Sequence, residues 1–396
     1  MASRVQAQGF LIGSPLNPRK NSLNLIRLIL ALSVLVHHAW PLSGSSNGPS
    51  FAGETLGGWA VEGFFGISGY LITGSRFSHS LGNYLVHRIT RIMPAVLACL
   101  IVVAGIFGPL GYWASTGHLR GYLSTPSTPF NYVFGNLFLQ MNQYGVAGTP
   151  AGVPYPGAWD GSLWSLYYEF LCYLIVAVLG IFLLVRKSPW PLTIAFGVSV
   201  GVFAAAPYLG AYTEGNGGFT LLFQVLPFFL GGAVLHAWKH RIGIHWLLGL
   251  VSLILAISLA ALVPRWGGQL AGIFVAYFIL WVSSWLPTPK LIAKNDVSYG
   301  VYIYAFPVQQ ILAVYSVHLA GLPIYIIAAI VITLPLAIAS WTFIERPAMR
   351  RMRKGPGTKT AAHEPMATPL GLRGPSNGPA QDSPTEDRTP VLSDAP

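Results

Sequence analysis

Two ionisable side chains, Arg27 and His38, lie eleven residues apart inside the first apolar stretch of the chain, Asn24-Leu-Ile-Arg27 through Val36-His37-His38-Ala-Trp40. Eleven helical residues make about three turns, so the two share one face and sit roughly 16 Å apart along the axis. His37 is rotated from that face by about 80 degrees and is set aside. A guanidinium near one membrane surface and an imidazole near the other describe a site that reaches through the bilayer. A snorkelling arginine and an interfacial histidine are the plainer alternative.

Carboxylates are scarce, and seven precede the C-terminal tail: Glu54, Glu62, Asp160, Glu169, Glu214, Asp296 and Glu345. Glu62, in Gly58-Trp-Ala-Val-Glu62, and Glu169, in Trp164-Ser-Leu-Tyr-Tyr-Glu169, fall near the outer ends of the second and fourth apolar stretches, at the depth of His38. A carboxylate beside an imidazole orients it and raises its basicity, as a general base for a hydroxyl requires. The sequence leaves open which carboxylate faces His38. For Glu169 a structural hydrogen bond to a neighbouring helix is the alternative. Arg88 and Arg91, three residues apart, share a face if helical, and paired guanidinium groups bind phosphate bidentately. Marking the inner boundary, or meeting lipid headgroups, explains such a pair as well. Ser68, flanked by glycine, offers a hydroxyl to an oxyanion or acyl chain, or serves helix packing.

The elements that must position these groups are membrane helices. Apolar residues make up 53% of the chain and charged residues 9%, against about 25% charged in soluble domains. Ten apolar stretches can each hold a helix, at 23–40, 56–75, 92–113, 163–185, 192–211, 217–238, 245–263, 269–286, 297–317 and 322–344. Basic loops stay cytoplasmic, and with the N-terminus inside only Arg120 and Arg265 of the 23 basic residues fall outside. The basic cluster from Arg346 to Lys354 demands an even number of spans to join them. The sequence therefore predicts an all-α membrane protein of ten transmembrane helices with both termini cytoplasmic. A cytoplasmic segment (1–22) leads into the membrane domain (23–346), followed by a disordered cytoplasmic tail (347–396).

The net charge of +11 is then a topogenic signature and a match to anionic lipid, with no nucleic-acid motif beside it. The polar first twenty residues lead into a retained first span and predict no cleavable signal. Cys99 and Cys172 lie inside apolar stretches, so neither a disulfide nor a thiolate metal site is expected. The long outward connection, 114–162, reads as a lid or acceptor platform, its Tyr144, Tyr155 and Trp159 able to stack on sugar rings or to form an interface belt.

In order along residues 20–347, the chain resembles the acyltransferase-3 family of bacterial integral membrane O-acyltransferases. The resemblance rests on Arg27 and His38, Gly63-Phe-Phe-Gly-Ile-Ser-Gly-Tyr-Leu-Ile72, Arg88-Ile-Thr-Arg91 before Pro94, Trp164-Ser-Leu-Tyr-Tyr-Glu169, Ser298-Tyr-Gly-Val-Tyr-Ile-Tyr304 and Glu345-Arg-Pro347. Where many relatives carry a histidine after the Ser-Tyr-Gly-Val-Tyr stretch, this chain reads Tyr304-Ala-Phe-Pro307, which takes weight from the ninth span. The resemblance implies a multi-pass enzyme of a bacterial inner membrane, with acyl-CoA, most simply acetyl-CoA, as co-substrate and no tightly bound cofactor. It implies phosphates against Arg27, Arg88 and Arg91, proton transfer by His38 with Glu62 or Glu169, and a carbohydrate acceptor such as an exported polysaccharide or lipid-linked glycan. A proton-coupled transporter or flippase of an anionic solute, or an inert assembly scaffold, are the rival classes.

Overall fold

A computed structural model describes residues 12–18, 20–208 and 217–353; Glu214, residues 1–11 and the expected tail from 354 onward lie outside the described residues. Fifteen helices follow one another among those residues. They are α1 (Leu23–Ser43), α2 (Leu56–Ser78), α3 (Leu81–Val102), α4 (Gly108–Thr116), α5 (Pro129–Gly135), α6 (Trp164–Leu179), α7 (Leu183–Lys187) and α8 (Trp190–Ala205). The second half holds α9 (Gly217–Trp238), α10 (Trp246–Leu262), α11 (Gly267–Trp285), α12 (Lys290–Lys294), α13 (Ser298–Val314), α14 (Leu322–Ser340) and α15 (Arg346–Arg353). A two-residue hairpin, β1 (Ser50–Phe51) with β2 (Glu54–Thr55), turns the chain from α1 into α2.

The chain is a multi-pass, all-α membrane protein. Six helical segments are long and apolar enough to cross a bilayer, among them Leu81–Thr116 and Leu322–Met352, each continuous through a π-helical turn. Among the described residues each of the ten apolar stretches overlaps at least one helix. Helix α6 stops at Leu179, short of the expected 185, because the chain turns at Gly180 before α7. Helix α15 occupies Arg346–Arg353, so residues 347–353 of the expected tail are helical.

Helix α2 is the central element, packed against α1, α6, α9 and α11. It carries Glu62 and Arg76, both buried. Polar groups on such a helix survive because they face protein rather than lipid. Arg76 donates from Nε to the Ala177 carbonyl of α6 (3.1 Å) and from Nη1 to the His79 carbonyl (3.3 Å). Contact between α2 and α9 is backbone-close: a side chain at Gly69 would run into the Phe229 carbonyl, and one at Gly232 into the Gly66 carbonyl. Without a hydrophobic force between helices in lipid, such small-residue seams let van der Waals packing hold them together.

Local signals fix the ends of α2. The Thr55 hydroxyl caps it by accepting from the Gly58 amide (3.0 Å), satisfying one of the free donors of the first turn. Gly44, at φ 73°, ends α1 in the left-handed conformation that costs glycine least.

Candidate active site

Residue by residue, the sequence candidates sort into three places. His38 lines a cavity of about 250 Å³ at the C-terminal end of α1, with Glu62 across from it on α2. Glu169 and Arg27 line a second, narrow slot of about 30 Å³. Val61 and Tyr302 belong to both walls, so the two spaces adjoin at that pair. Arg91 sits in an ion cluster beyond the slot, and Ser68 lines neither space.

In the larger cavity the His38 ring packs edge-on against Phe306 (5.1 Å between centroids) and lies 5.7 Å from the His37 ring. His37, set aside by helical phase, faces the same cavity. The reason lies opposite: Gly57 has no side chain, and a Cβ there would collide with the His37 ring. Glu62 is 3% exposed, and neither its Oε2 nor His38 Nδ1 finds a hydrogen-bond partner among the described residues. Glu54 and Gln224 complete the wall, Gln224 Nε2 donating to Glu54 Oε2 (3.0 Å). Of the two carboxylates considered for His38, Glu62 therefore shares its cavity and Glu169 does not.

Around the slot Glu169 Oε1 accepts from Ser68 Oγ (2.8 Å) and Tyr173 Oη (2.7 Å). Ser68 thus joins two candidates the sequence listed separately, as a partner of the carboxylate. Tyr302 Oη donates to the Ser162 carbonyl (3.1 Å) and meets Ser165 Oγ at 2.5 Å. Ser162 is in turn held by Asp160, whose Oδ1 accepts from its amide (2.9 Å) and its hydroxyl (2.7 Å). Asp160 lies in the outward connection, fully buried, and burial pushes its carboxyl up to about 7 against the pull of the bonds from Ser162 and the Leu163 amide.

At the other end, Asp296 accepts from Arg27 Nη1 and from Arg91 Nη2 (2.6 Å), and Glu345 accepts from Arg91 Nη1 (3.2 Å). Burial alone would raise the Asp296 carboxyl, but Arg27, Arg91 and Ser298 outweigh it and hold it below the usual range. The Arg91 guanidinium also lies over the Tyr299 and Trp341 rings, at 5.6 and 5.7 Å. Although Arg88 and Arg91 are three apart on one helix, their roles diverge. Among the described residues Arg88 has no carboxylate partner, and its Nε is buried without a hydrogen bond.

The outward connection is packed onto the bundle. Gln310 on α13 donates to the carbonyls of Tyr155 and Ala158, both at 2.7 Å. Trp159 is fully buried and donates to Thr149 Oγ1 (3.0 Å), so it is unable to stack on a sugar; Tyr144 and Tyr155 remain exposed. Tyr155 packs on Phe306, itself against His38. The ninth apolar stretch, discounted for want of a histidine, thus supplies two walls of the site, Tyr302 and Phe306. Sequence reasoning missed these two, together with Glu54, Gln224 and Ser162. The placement of Glu54 immediately before a capped helix in an acid-poor chain was the available signal.

The sequence profile of the acyltransferase domain family matches residues 20–342. The chain belongs to the acyltransferase-3 family. An O-acetyl transferase of Shigella phage Sf6 is 30% identical over 349 residues, covering 84% of this chain and 97% of the relative. Nodulation protein 10 of Rhizobium leguminosarum bv. viciae is 26% identical over 360 residues, covering 84% and 94%. No solved structure matches. As a member of this family the chain is a membrane O-acyltransferase of the O-acetyltransferase type.

Proposed function

We propose that this O-acetyltransferase takes its acyl group from cytoplasmic acetyl-CoA and delivers it to a hydroxyl of a carbohydrate, such as an exported polysaccharide or lipid-linked glycan, at the outer face of a bacterial inner membrane. Ten spans with both termini cytoplasmic place Arg27 at the inner end of α1 and His38 at the outer end. The observation that carries the reading is the adjoining pair of spaces, which run from Arg27 past Glu169 and Tyr302 to His38 and Glu62.

In this scheme Arg88, the guanidinium free of carboxylates, meets the donor's phosphates. Arg27 lines the entry, and Arg91 braces it through Asp296 and Glu345. The slot, at about 30 Å³, opens by movement of its side chains, Phe64 and Phe65 among them, to let the pantetheine arm through and bring the thioester to the larger cavity. His38 takes the proton of the acceptor hydroxyl, whose oxygen attacks the thioester carbonyl carbon. Glu62, beside it, favours the imidazolium that results. The Tyr302 hydroxyl stands where the two spaces meet, and turning its proton from the Ser162 carbonyl to the reacting carbonyl stabilises the developing oxyanion. As the carbon–sulfur bond breaks, the coenzyme thiolate recovers the proton from His38, leaving acetyl ester and free thiol. At about 250 Å³ the cavity falls below the roughly 300 Å³ of a pocket for a whole small ligand, so only the reacting end of a glycan enters it.

Purified protein in lipid, incubated with labelled acetyl-CoA and a panel of glycans, tests the scheme. His38→Ala abolishes acetyl transfer while leaving donor binding, and Arg88→Ala weakens donor binding. Full transfer by His38→Ala would remove the proposed base.

A further inference from the structure

A cleft of about 500 Å³ outside this path lies between α1, α2, α9 and α11 and has no acidic residue in its walls. It shares no residue with the slot or with the His38 cavity. Its polar side chains are Lys239, His236, His240, Tyr70, Tyr277 and the amides of Asn21 and Asn24, with Lys239 the cation among them. Lys239 Nζ donates to His236 Nε2 (3.0 Å), which ties the ammonium to the wall. Tyr70 packs edge-on against the His236 ring, 5.2 Å between centroids, and fixes its orientation. Neither Lys239 nor His240 meets a carboxylate among the described residues. The remaining donors of the ammonium are thus left for an anion.

The rest of the lining is aliphatic, including Leu16, Leu71, Leu235 and Leu280. Leu71 is 42% exposed, so the space is edged by a side chain that faces outward from α2. The floor is a strap: Ser14 exchanges backbone hydrogen bonds with Ile244 (3.1 and 2.6 Å), and the Gly243 amide donates to the Ile12 carbonyl (2.9 Å). Tyr277 Oη, donating to the Gly243 carbonyl (2.7 Å), pins the same turn.

We infer that this cavity binds the phosphate headgroup of an anionic phospholipid from the leaflet on the Lys239 side, which is cytoplasmic in the orientation proposed above. A phosphate ester is the shared chemistry that Lys239, His240 and Tyr70 recognise. Aliphatic walls beside the cations favour a phosphate that brings an acyl chain with it over a free ion, which would leave those walls empty. The site is separate from the donor path, so its occupancy does not depend on His38.

Native mass spectrometry of the purified protein in detergent, titrated with phosphatidylglycerol, phosphatidylcholine or inorganic phosphate, tests the assignment. The wild type is expected to prefer phosphatidylglycerol over phosphatidylcholine by about fivefold, at about 1 kcal/mol for the one lysine. Lys239→Gln with His240→Gln removes the preference. Lys239→Arg keeps it, and so does Lys290→Gln, an exposed lysine outside the cavity. Leu235→Trp, which fills the aliphatic part, weakens retention of both lipids, while an unfolding midpoint close to that of the wild type shows that the chain still folds. His38→Ala retains the preference, which separates this inference from the catalytic one. A preference that persists in the double variant overturns the proposal. So does inorganic phosphate displacing the lipid at equal concentration, which would assign the site to a free ion.

Discussion

Replacing Asp296 by Asn removes the charge on which Arg27 and Arg91 converge, and the structure sets the size of the effect. Oδ2 accepts from both guanidinium groups and Oδ1 from Ser298 at 2.5 Å. The three charged side chains are between 11% and 21% exposed, too buried for water to take over. A hydrogen bond to a charged group contributes about 1.5–3 kcal/mol, so two lost bonds cost roughly 3–6 kcal/mol. Arg91 keeps Glu345, which places the net loss near the lower end, about 3 kcal/mol, in line with breaking one partner of a buried pair. At roughly 2 °C per kcal/mol for a chain of this size, the unfolding midpoint in detergent falls by about 6 °C. Adding Arg27→Gln to Asp296→Asn recovers part of that loss, because it removes the cation left alone; adding Arg91→Gln does not, because it frees Glu345. The Asp296 carboxyl is held below its ordinary value, so its contribution is present above the unfolded pKa of about 3.9 and disappears as pH falls through the native one. A midpoint for Asp296→Asn within about 1 °C of wild type at pH 7 would refute the argument.

Asp160 has the opposite sign. Its native pKa, about 7, lies above the unfolded value, so its contribution is complete below about pH 4 and is lost as pH rises toward 7, on the order of 4 kcal/mol. Melting curves from pH 5 to 8 should therefore fall more steeply for wild type than for Asp160→Asn. Gly232→Ala pushes a methyl group into the Gly66 carbonyl of α2 and costs about 1–3 kcal/mol, read as a lower midpoint in the same assay, whereas Gly197→Ala, where open space surrounds the position, leaves the midpoint unchanged.

Apolar runs near the length of a bilayer crossing need no tertiary knowledge to find, and among the described residues each expected stretch overlaps a helix. The meeting of His38 with Glu62 was within reach for the same reason: depth follows from position along a span. Azimuth does not. Helical phase placed His37 off the face of Arg27, yet the cavity between α1, α2 and α9 is wide enough to take in both histidines, and room for His37 comes from a glycine on a different helix. Equal depth likewise grouped Glu169 with His38, although Glu169 faces the slot and Glu62 the cavity. Pairing partners across more than 200 residues were hidden too. Arg91 and Arg88 look alike in sequence, and only the approach of Asp296 and Glu345 distinguishes them. The buried Trp159 shows the limit of reading loops by composition, since Thr149 from the same loop satisfies its indole.

A transferase that works across a bilayer must not short-circuit the ion gradients on either side. At about 30 Å³, the slot at Val61 and Tyr302 has room for one or two waters, too few for a continuous file. Its walls include the phenyl rings of Phe64 and Phe65 as well as the hydroxyls of Ser165 and Tyr302. On the proposed path an extended, uncharged pantetheine arm fills this neck as a piston fills a cylinder, while sodium or hydronium with its hydration shell is refused. On that path the same constriction would keep the resting enzyme electrically silent.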